Sequence, residues 1–113
     1  MEQSKVLTAL SALSHASRLN VLRLLMPLGD HGLAAGDISR ALGLSASRLS
    51  FHLAAMEQAG LVRSRRVARN VIYAADAAQV GRTIGYLLTD CCLDHPEVRA
   101  CCGAPRLRGQ PEP

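Results

Sequence analysis

The stretch DISRALGLSASRLSFHLAAMEQAGLVRSRRVARNVIYAA, residues 37–75, contains the pattern that decides the fold. Its first half predicts a short helix that Gly43 ends and a longer helix that Ser45 caps and Gly60 ends. In LVRSRR and NVIYA the period changes to that of strands, and the polar tip VARN between them predicts a hairpin. Two short helices followed by a basic hairpin are the order of a winged helix-turn-helix.

Apolar residues at helical spacing extend to both sides of this stretch. They predict a helix over residues 4–14, a second helix that Pro27 ends, and a last helix that begins at Asp76. The last helix places Ile84 and Cys91 on one face, and Pro96 is expected to break the chain. The fold class expected is mainly α with a small β-hairpin, with about five helices and a wing.

The composition agrees with one small helical domain. Of the 113 residues 49% are hydrophobic, yet there is no Trp, so the core is expected to consist mainly of aliphatic side chains, which favours helices. No apolar run approaches the roughly 18 residues of a membrane span, and the N-terminal residues lack a signal-peptide pattern. We therefore expect a cytoplasmic protein without a membrane partner. No pattern of catalytic side chains or phosphate-binding glycines is present, so neither enzymatic activity nor a small organic substrate is expected.

Side chains suited to double-stranded DNA lie on the second helix of the pair and on the hairpin. In a winged helix-turn-helix the N-terminal residues of the second helix meet base edges, and Arg48 can donate twice to a guanine. The hairpin is rich in arginine and has no acid between Leu61 and Ala75, which suits phosphate contacts, although charge on an exposed hairpin also serves solvation alone. The predicted DNA-binding residues are Ser45, Ser47, Arg48, Ser50, Phe51, His52, Arg65, Arg66, Arg69 and Asn70.

The segment ALSHASRLNVLRLL together with residues 37–75 resembles the ArsR/SmtB family of small dimeric winged-helix repressors. The similarity covers roughly residues 6 to 92 and rests on the run L-G-L-S-x-S-x-x-S-x-H-L, the wing entry A-G-L-V and the aromatic residue after the wing. This resemblance implies a homodimer that binds a palindromic operator when it is free of inducer. It also implies release of the operator when a metal ion, metalloid or oxidant is sensed.

The resemblance further implies that the first and last helices form the dimer interface. Gly81 and Gly85 lie one helical turn apart in the last helix. They would either let two such helices approach closely or pack under the first helix of the same subunit. The predicted interface residues are Val6, Leu7, Leu10, Val80, Gly81, Ile84, Gly85 and Leu88.

Sensory positions that are usual in the family are absent from this chain. The Cys-x-Cys pair of many arsenic and cadmium sensors would fall at Ala34 and Gly36. Zinc sensors of the family use Asp and His ligands along the last helix, where this chain offers Asp76 and Asp90 and no histidine until His95 beyond the end of the helix. A different inducer site is therefore expected.

All four cysteines lie in TDCCLDHPEVRACC, residues 89–102, as two vicinal pairs separated by eight residues. A bend near Pro96 would return the second pair towards the first, and Asp94 or His95 could cap a further helical turn there. Soft thiolates select soft acceptors, and three of them suffice for trivalent arsenic. The predicted ligands of an arsenite-class inducer are Cys91, Cys92, Cys101 and Cys102.

Other uses of these thiols remain open. Antimony could replace arsenic, and zinc or cadmium could use all four sulfurs or three with His95. Redox sensing through a disulfide between the pairs is a further alternative. The whole chain is predicted to be a metalloid-responsive transcriptional repressor. Its predicted parts are a DNA-binding and dimerisation domain over residues 1–92, a cysteine-bearing sensory segment over 93–102 and a tail with disordered composition over 103–113.

Overall fold

The computed structural model describes residues 1–103, and it divides the chain into two compact units, Met1–Thr83 and a second that begins at Ile84. No helix in these residues is long and apolar enough to cross a bilayer. The elements are α1 (Gln3–Leu13), α2 (Ala16–Leu25), a 3₁₀ helix (Met26–His31), β1 (Leu33–Ala34), α3 (Ala35–Leu42), α4 (Ala46–Gln58), β2 (Val62–Val67), β3 (Asn70–Ala75), α5 (Ala77–Tyr86), a π-helical turn (Leu87–Cys91) and α6 (Pro96–Gly103).

The predicted boundary between residues 92 and 93 separates DNA binding and dimerisation from sensing, whereas the two compact units differ in which residues pack together. The predicted boundary therefore stays a prediction. The predicted tail lies outside the described residues from position 104 onward, whereas Gly103 ends α6. The predicted fold class is confirmed, with one helix and one strand more than the sequence indicated.

The turn between α3 and α4 forms for the local reasons that the sequence indicates. Gly43 takes the left-handed conformation with φ 65° and ends α3. Ser45 caps α4 because its Oγ accepts a hydrogen bond from the backbone N–H of Arg48 at 3.2 Å. The core beneath this turn has its largest fully buried side chains at Val21, Leu25, Ile38, Leu49, Leu53, Met56, Leu61 and Val62.

The wing is a hairpin of β2 and β3 whose register runs from Val62 opposite Ala75 to Val67 opposite Asn70. A third strand, β1, pairs antiparallel with β3, so the sheet order is β1-β3-β2. Gly32 precedes β1 with φ 66°, and a Cβ there would lie 2.3 Å from the carbonyl oxygen of Tyr73. Only glycine lets this backbone approach β3 so closely.

The second unit contains a π-helical turn, after which the chain departs from helical conformation before α6 begins. The N–H of Cys92 donates to the carbonyl of Leu87 at 2.9 Å, and the N–H of Asp94 donates to that of Leu88 at 2.8 Å. Leu93 and Asp94 then take left-handed conformations with φ 52° and 56°. Because a π turn changes the angular phase of a helix, Cys91 does not keep the face that a regular helix predicted for it.

The bend predicted near Pro96 is present, and it starts a full helix. Pro96 occupies the first position of α6, where its missing N–H costs no hydrogen bond. The Nδ1 atom of His95 accepts a hydrogen bond from the backbone N–H of Glu97 at 3.2 Å. His95 therefore caps α6, as the sequence suggested.

Candidate DNA-binding surface and cysteine segment

The N-terminal half of α4 turns one side to the core and the other to solvent. Leu49 and Leu53 are buried at 2% and 1% exposure. Just before Leu49 the helix presents the exposed Arg48, whose side chain has no hydrogen-bond partner within residues 1–103, so its donors are available to DNA. Of the predicted contact residues on this helix, His52 is half-buried, and those exposed are Ser45, Ser47, Arg48, Ser50 and Phe51.

A buried arginine from α2 contacts the side of α4 that is predicted to face DNA. Arg18 is only 7% exposed, its Nε–H donates to Nδ1 of His52 at 3.0 Å, and its Nη1 donates to the carbonyl of Ala12 at 3.2 Å. Its Cζ lies 5.7 Å from the centre of the Phe51 ring. Arg18 is not among the residues predicted from the sequence, because an arginine in an amphipathic helix is ordinarily exposed.

His52 lies in an electropositive environment. Partial desolvation lowers the pKa of His52 below its ordinary value, and the positive charges of Arg18, His15 and Arg48 act in the same direction. The imidazole is therefore neutral near pH 7. An open cleft of about 490 Å³ lies alongside, and its lining includes His15, Ser47, Arg48, Phe51 and His52.

The wing arginines divide into two kinds. Arg63 pairs with the carboxylate of Asp30 at 2.9 Å, and Arg65 donates to the backbone carbonyls of Asp30 and His31, both at 2.9 Å. These bonds engage the guanidinium of Arg65, which argues against its predicted phosphate contact. Arg66 and Arg69 are exposed and make no hydrogen bond or ion pair within the described part of the chain. Asn70, also exposed, begins β3 next to them.

The four cysteines are free thiols on the surface of the second unit. Cys92 is half-buried and the other three are exposed. Partial desolvation raises the pKa of the Cys92 thiol, and Cys91 and more weakly Cys102 contribute in the same direction. Among residues 1–103, no three His, Cys, Asp or Glu side chains are arranged to hold a metal ion. The thiols therefore influence one another without forming an assembled site.

The exposed side of α1 agrees with part of the predicted dimer interface. Leu7 and Leu10 are 58% and 38% exposed, a large apolar surface for one short helix. Val6, in contrast, is 2% exposed. Val6 is buried within the protomer, so its assignment to the interface is corrected.

The glycines of α5 face open space. A Cβ built on Gly81 or on Gly85 would meet no atom within 4 Å among the described residues. For Gly81, which lies in the same compact unit as α1, this argues against packing under the first helix of the same subunit. Of the other predicted interface residues, Ile84 is 47% exposed, and those half-buried are Val80, which packs against the core, and Leu88.

Known proteins are similar to this chain in sequence and in fold. A family model described as a helix-turn-helix domain matches residues 13–65. The chain is 41% identical over 78 residues to YgaV, an HTH-type transcriptional regulator of Escherichia coli K12, covering 69% of this chain and 77% of YgaV. It is 36% identical over 84 residues to the transcriptional activator HlyU of Vibrio cholerae, covering 74% and 75%.

Solved structures agree. An ArsR-like transcriptional regulator from Rhodococcus sp. RHA1 has a TM-score of 0.70 at 26% identity, covering 87% of this chain and 90% of that one. A homodimeric winged helix-turn-helix DNA-binding domain from Mycobacterium bovis, a possible ArsR-family regulator, has a TM-score of 0.62 at 27% identity, covering 80% of each chain. The chain belongs to the ArsR family of winged helix-turn-helix transcriptional regulators. Within this family member, α3 and α4 form the helix-turn-helix and β2 and β3 form the wing. The family resemblance is thereby confirmed, while the inducer stays a prediction.

Proposed function

We propose that this ArsR-family regulator is a repressor that binds a palindromic operator as a homodimer and releases it when trivalent arsenic binds its cysteines. One observation carries the proposal: all four cysteines of the chain are free thiols in two vicinal pairs, one at the end of the π-helical turn and one in α6. Such a concentration of soft donors in a polar segment suits a soft, thiol-seeking inducer.

The DNA-binding half of the proposal is supported by the surface of α4 and the tip of the wing. Arg48 offers free donors for base edges, and Arg66 and Arg69 offer free charges for phosphates. The exposed Leu7 and Leu10 support a dimer, as does the homodimeric relative from Mycobacterium bovis. Two reading helices related by a two-fold axis would match half-sites about one helical turn apart.

The raised pKa of Cys92 is compatible with arsenite as the inducer. Neutral arsenous acid reacts with thiols by condensation, in which each thiol proton leaves with an arsenic-bound hydroxyl as water and an As–S bond replaces an As–O bond. No thiolate has to persist in solution beforehand. Zinc and cadmium bind deprotonated thiolates, and the raised pKa of Cys92 makes loss of its proton less favourable than for a free cysteine.

Release follows from the need to assemble the site. Because no three candidate ligands are already arranged among residues 1–103, capture of a third sulfur must rearrange the chain between the two pairs. The π-helical turn and the left-handed Leu93 and Asp94 are the segments there that depart from regular helix. The rearrangement would act on the end of α5, which the family uses for dimerisation. The coupling is reciprocal, so operator DNA must weaken arsenite binding by the same factor.

The test is operator release measured by fluorescence anisotropy with a duplex selected by the protein from a randomised library. Arsenite is expected to release the wild-type protein at lower concentration than cadmium does, near pH 7. Cys92→Ser is expected to bind the duplex normally and to resist arsenite, whereas Thr89→Ser, an exposed neighbouring position whose change leaves all thiols intact, should still be released.

Other inducers are outcomes of the same titrations. Release by a mild disulfide-forming oxidant, with no response to arsenite, would replace this proposal by redox sensing. Release by cadmium or zinc at lower concentration than arsenite would replace it by divalent-metal sensing. Arsenite release that persists in Cys92→Ser would place the sensor elsewhere.

A further inference from the structure

The buried guanidinium of Arg18 has an unusual set of partners. A buried arginine ordinarily pairs with a carboxylate, because an uncompensated buried charge is costly. Among the described residues, no acid forms an ion pair with Arg18. Its partners are instead a backbone carbonyl, the face of Phe51 and a ring nitrogen of His52. Two of these three partners, Phe51 and His52, lie on α4, the helix predicted to enter the major groove.

The bond to His52 determines which ring nitrogen of the imidazole carries its proton. An arginine N–H can only donate, so Nδ1 of His52 must be the acceptor at 3.0 Å. In a neutral imidazole the other nitrogen then carries the hydrogen. Nε2 has no partner in residues 1–103, and no buried side-chain nitrogen or oxygen there is left without one, so Nε2 is open to solvent.

We propose that Arg18 is a positioning residue for DNA recognition, which holds His52 as the neutral Nε2–H tautomer and so presents a single hydrogen-bond donor to the major groove. The acceptors that suit it are the guanine N7 and O6 atoms, the adenine N7 atom and the thymine O4 atom. Arg18 itself does not touch a base. The inference rests on the operator binding of the proposed function and is independent of arsenite release.

Electrostatics act in the same direction as the hydrogen bond. The charged and titratable groups that face His52 are Arg18 and His15 at α2 and Arg48 on α4, and each lowers the pKa of His52. Protonation at Nδ1 would remove the acceptor and place two cations side by side. The neutral form of His52 therefore persists to lower pH than that of a free histidine, whose ordinary pKa is 6.5.

The first test measures the tautomer of His52 in the wild-type protein. Nitrogen NMR of wild-type protein labelled with ¹⁵N-histidine reports which ring nitrogen of His52 is protonated, with His52→Gln used to assign its signals. We expect an acceptor-type Nδ1 and a protonated Nε2 at pH 7. A protonated Nδ1, or an even mixture of tautomers, would overturn the inference whether or not a DNA duplex has been selected.

The second test is a double-mutant cycle on the selected duplex. Arg18→Met keeps the length and apolar volume of the side chain and removes its donors. We expect it to weaken specific binding about tenfold, the worth of one well-placed hydrogen bond, and to have no further effect in a His52→Ala background. Arg23→Met, which removes an exposed arginine from the same helix, is the matched control for charge. Additive losses would show that Arg18 does not act through His52.

The third test separates positioning from support of the fold. Imidazolium donates from both nitrogens, so acid restores the missing donor when the tautomer is no longer held. The affinity ratio of wild type to Arg18→Met should therefore fall towards one as pH drops below about 6.5. A ratio that stays constant with pH, together with a lowered melting temperature, would show a purely structural role and would refute the inference.

Discussion

Arg66 and Arg69 should account for most of the wing's contribution to the salt dependence of operator binding. Each protein–phosphate contact adds about −0.9 to the slope of log affinity against log salt concentration. Neither Arg66 nor Arg69 makes a hydrogen bond or ion pair among residues 1–103, so a dimer would lose four phosphate contacts in Arg66→Ala, Arg69→Ala. The slope should therefore become about 3.6 units shallower. A doubling of salt would then cost the wild type about tenfold more affinity than it costs the variant.

The matched control removes the same formal charge from the same hairpin. In Arg63→Ala, Arg65→Ala the lost guanidiniums are those bound to Asp30 and to the carbonyls of residues 30 and 31. Its slope should change by less than half as much, although its stability should fall. Anisotropy titrations of the selected duplex at several salt concentrations measure both slopes. Equal changes of slope in the two double variants, or no change of slope in either, would refute the distinction between phosphate-binding and internally bonded wing arginines.

Three further predictions concern the wing turn, the dimer and base recognition. Ala68 has φ 55°, which costs a residue with a Cβ roughly 1–2 kcal/mol, so Ala68→Gly should raise the free energy of unfolding by about 0.5–1 kcal/mol in denaturant titrations; a loss would contradict the turn geometry. Leu7→Asp with Leu10→Asp should give a monomer in light scattering at micromolar concentration, and an unchanged dimer would exclude this side of α1. Arg48→Ala should cost about 1–3 kcal/mol on the selected duplex and little on a scrambled one, and equal losses on both would remove it from base contact.

Local signals explain what the sequence predicted well. The end of α3 was predicted because Gly43 can take the left-handed conformation that ends a helix. The start of α4 was predicted because Ser45 can cap it. The hairpin was predicted because β-forming residues flank a polar tip. In both cases the determinants lie within a few residues of the element that they determine.

Features that depend on distant partners were not predicted. β1 is two residues long and exists through its pairing with β3, almost forty residues later in the chain. Arg18 is buried because Ala12 and His52 supply acceptors, and the sequence alone does not show that these residues meet. Arg65 looked free because the carbonyls that bind it belong to the 3₁₀ helix before β1.

The cysteine segment lies between these cases. Its bend was predicted from Pro96, but a proline that breaks one helix can also begin another, and α6 was not foreseen as a full helix. The π-helical turn leaves no clear mark in the sequence, yet it sets the direction of Cys91. The choice of inducer depends on how these thiols come together, which is a property of the ligand-bound state.

The most direct measurement of the central claim is a titration of arsenite into the protein bound to its selected duplex. Ultraviolet absorbance of the As–S bonds reports binding, while anisotropy of the labelled duplex reports release in the same sample. We expect release to be complete when one arsenite is bound per protomer. The variant Cys101→Ser with Cys102→Ser should neither reach the full As–S absorbance nor release the duplex. Stoichiometric arsenite binding with the duplex still bound, or wild-type release by that double variant, would contradict the central claim.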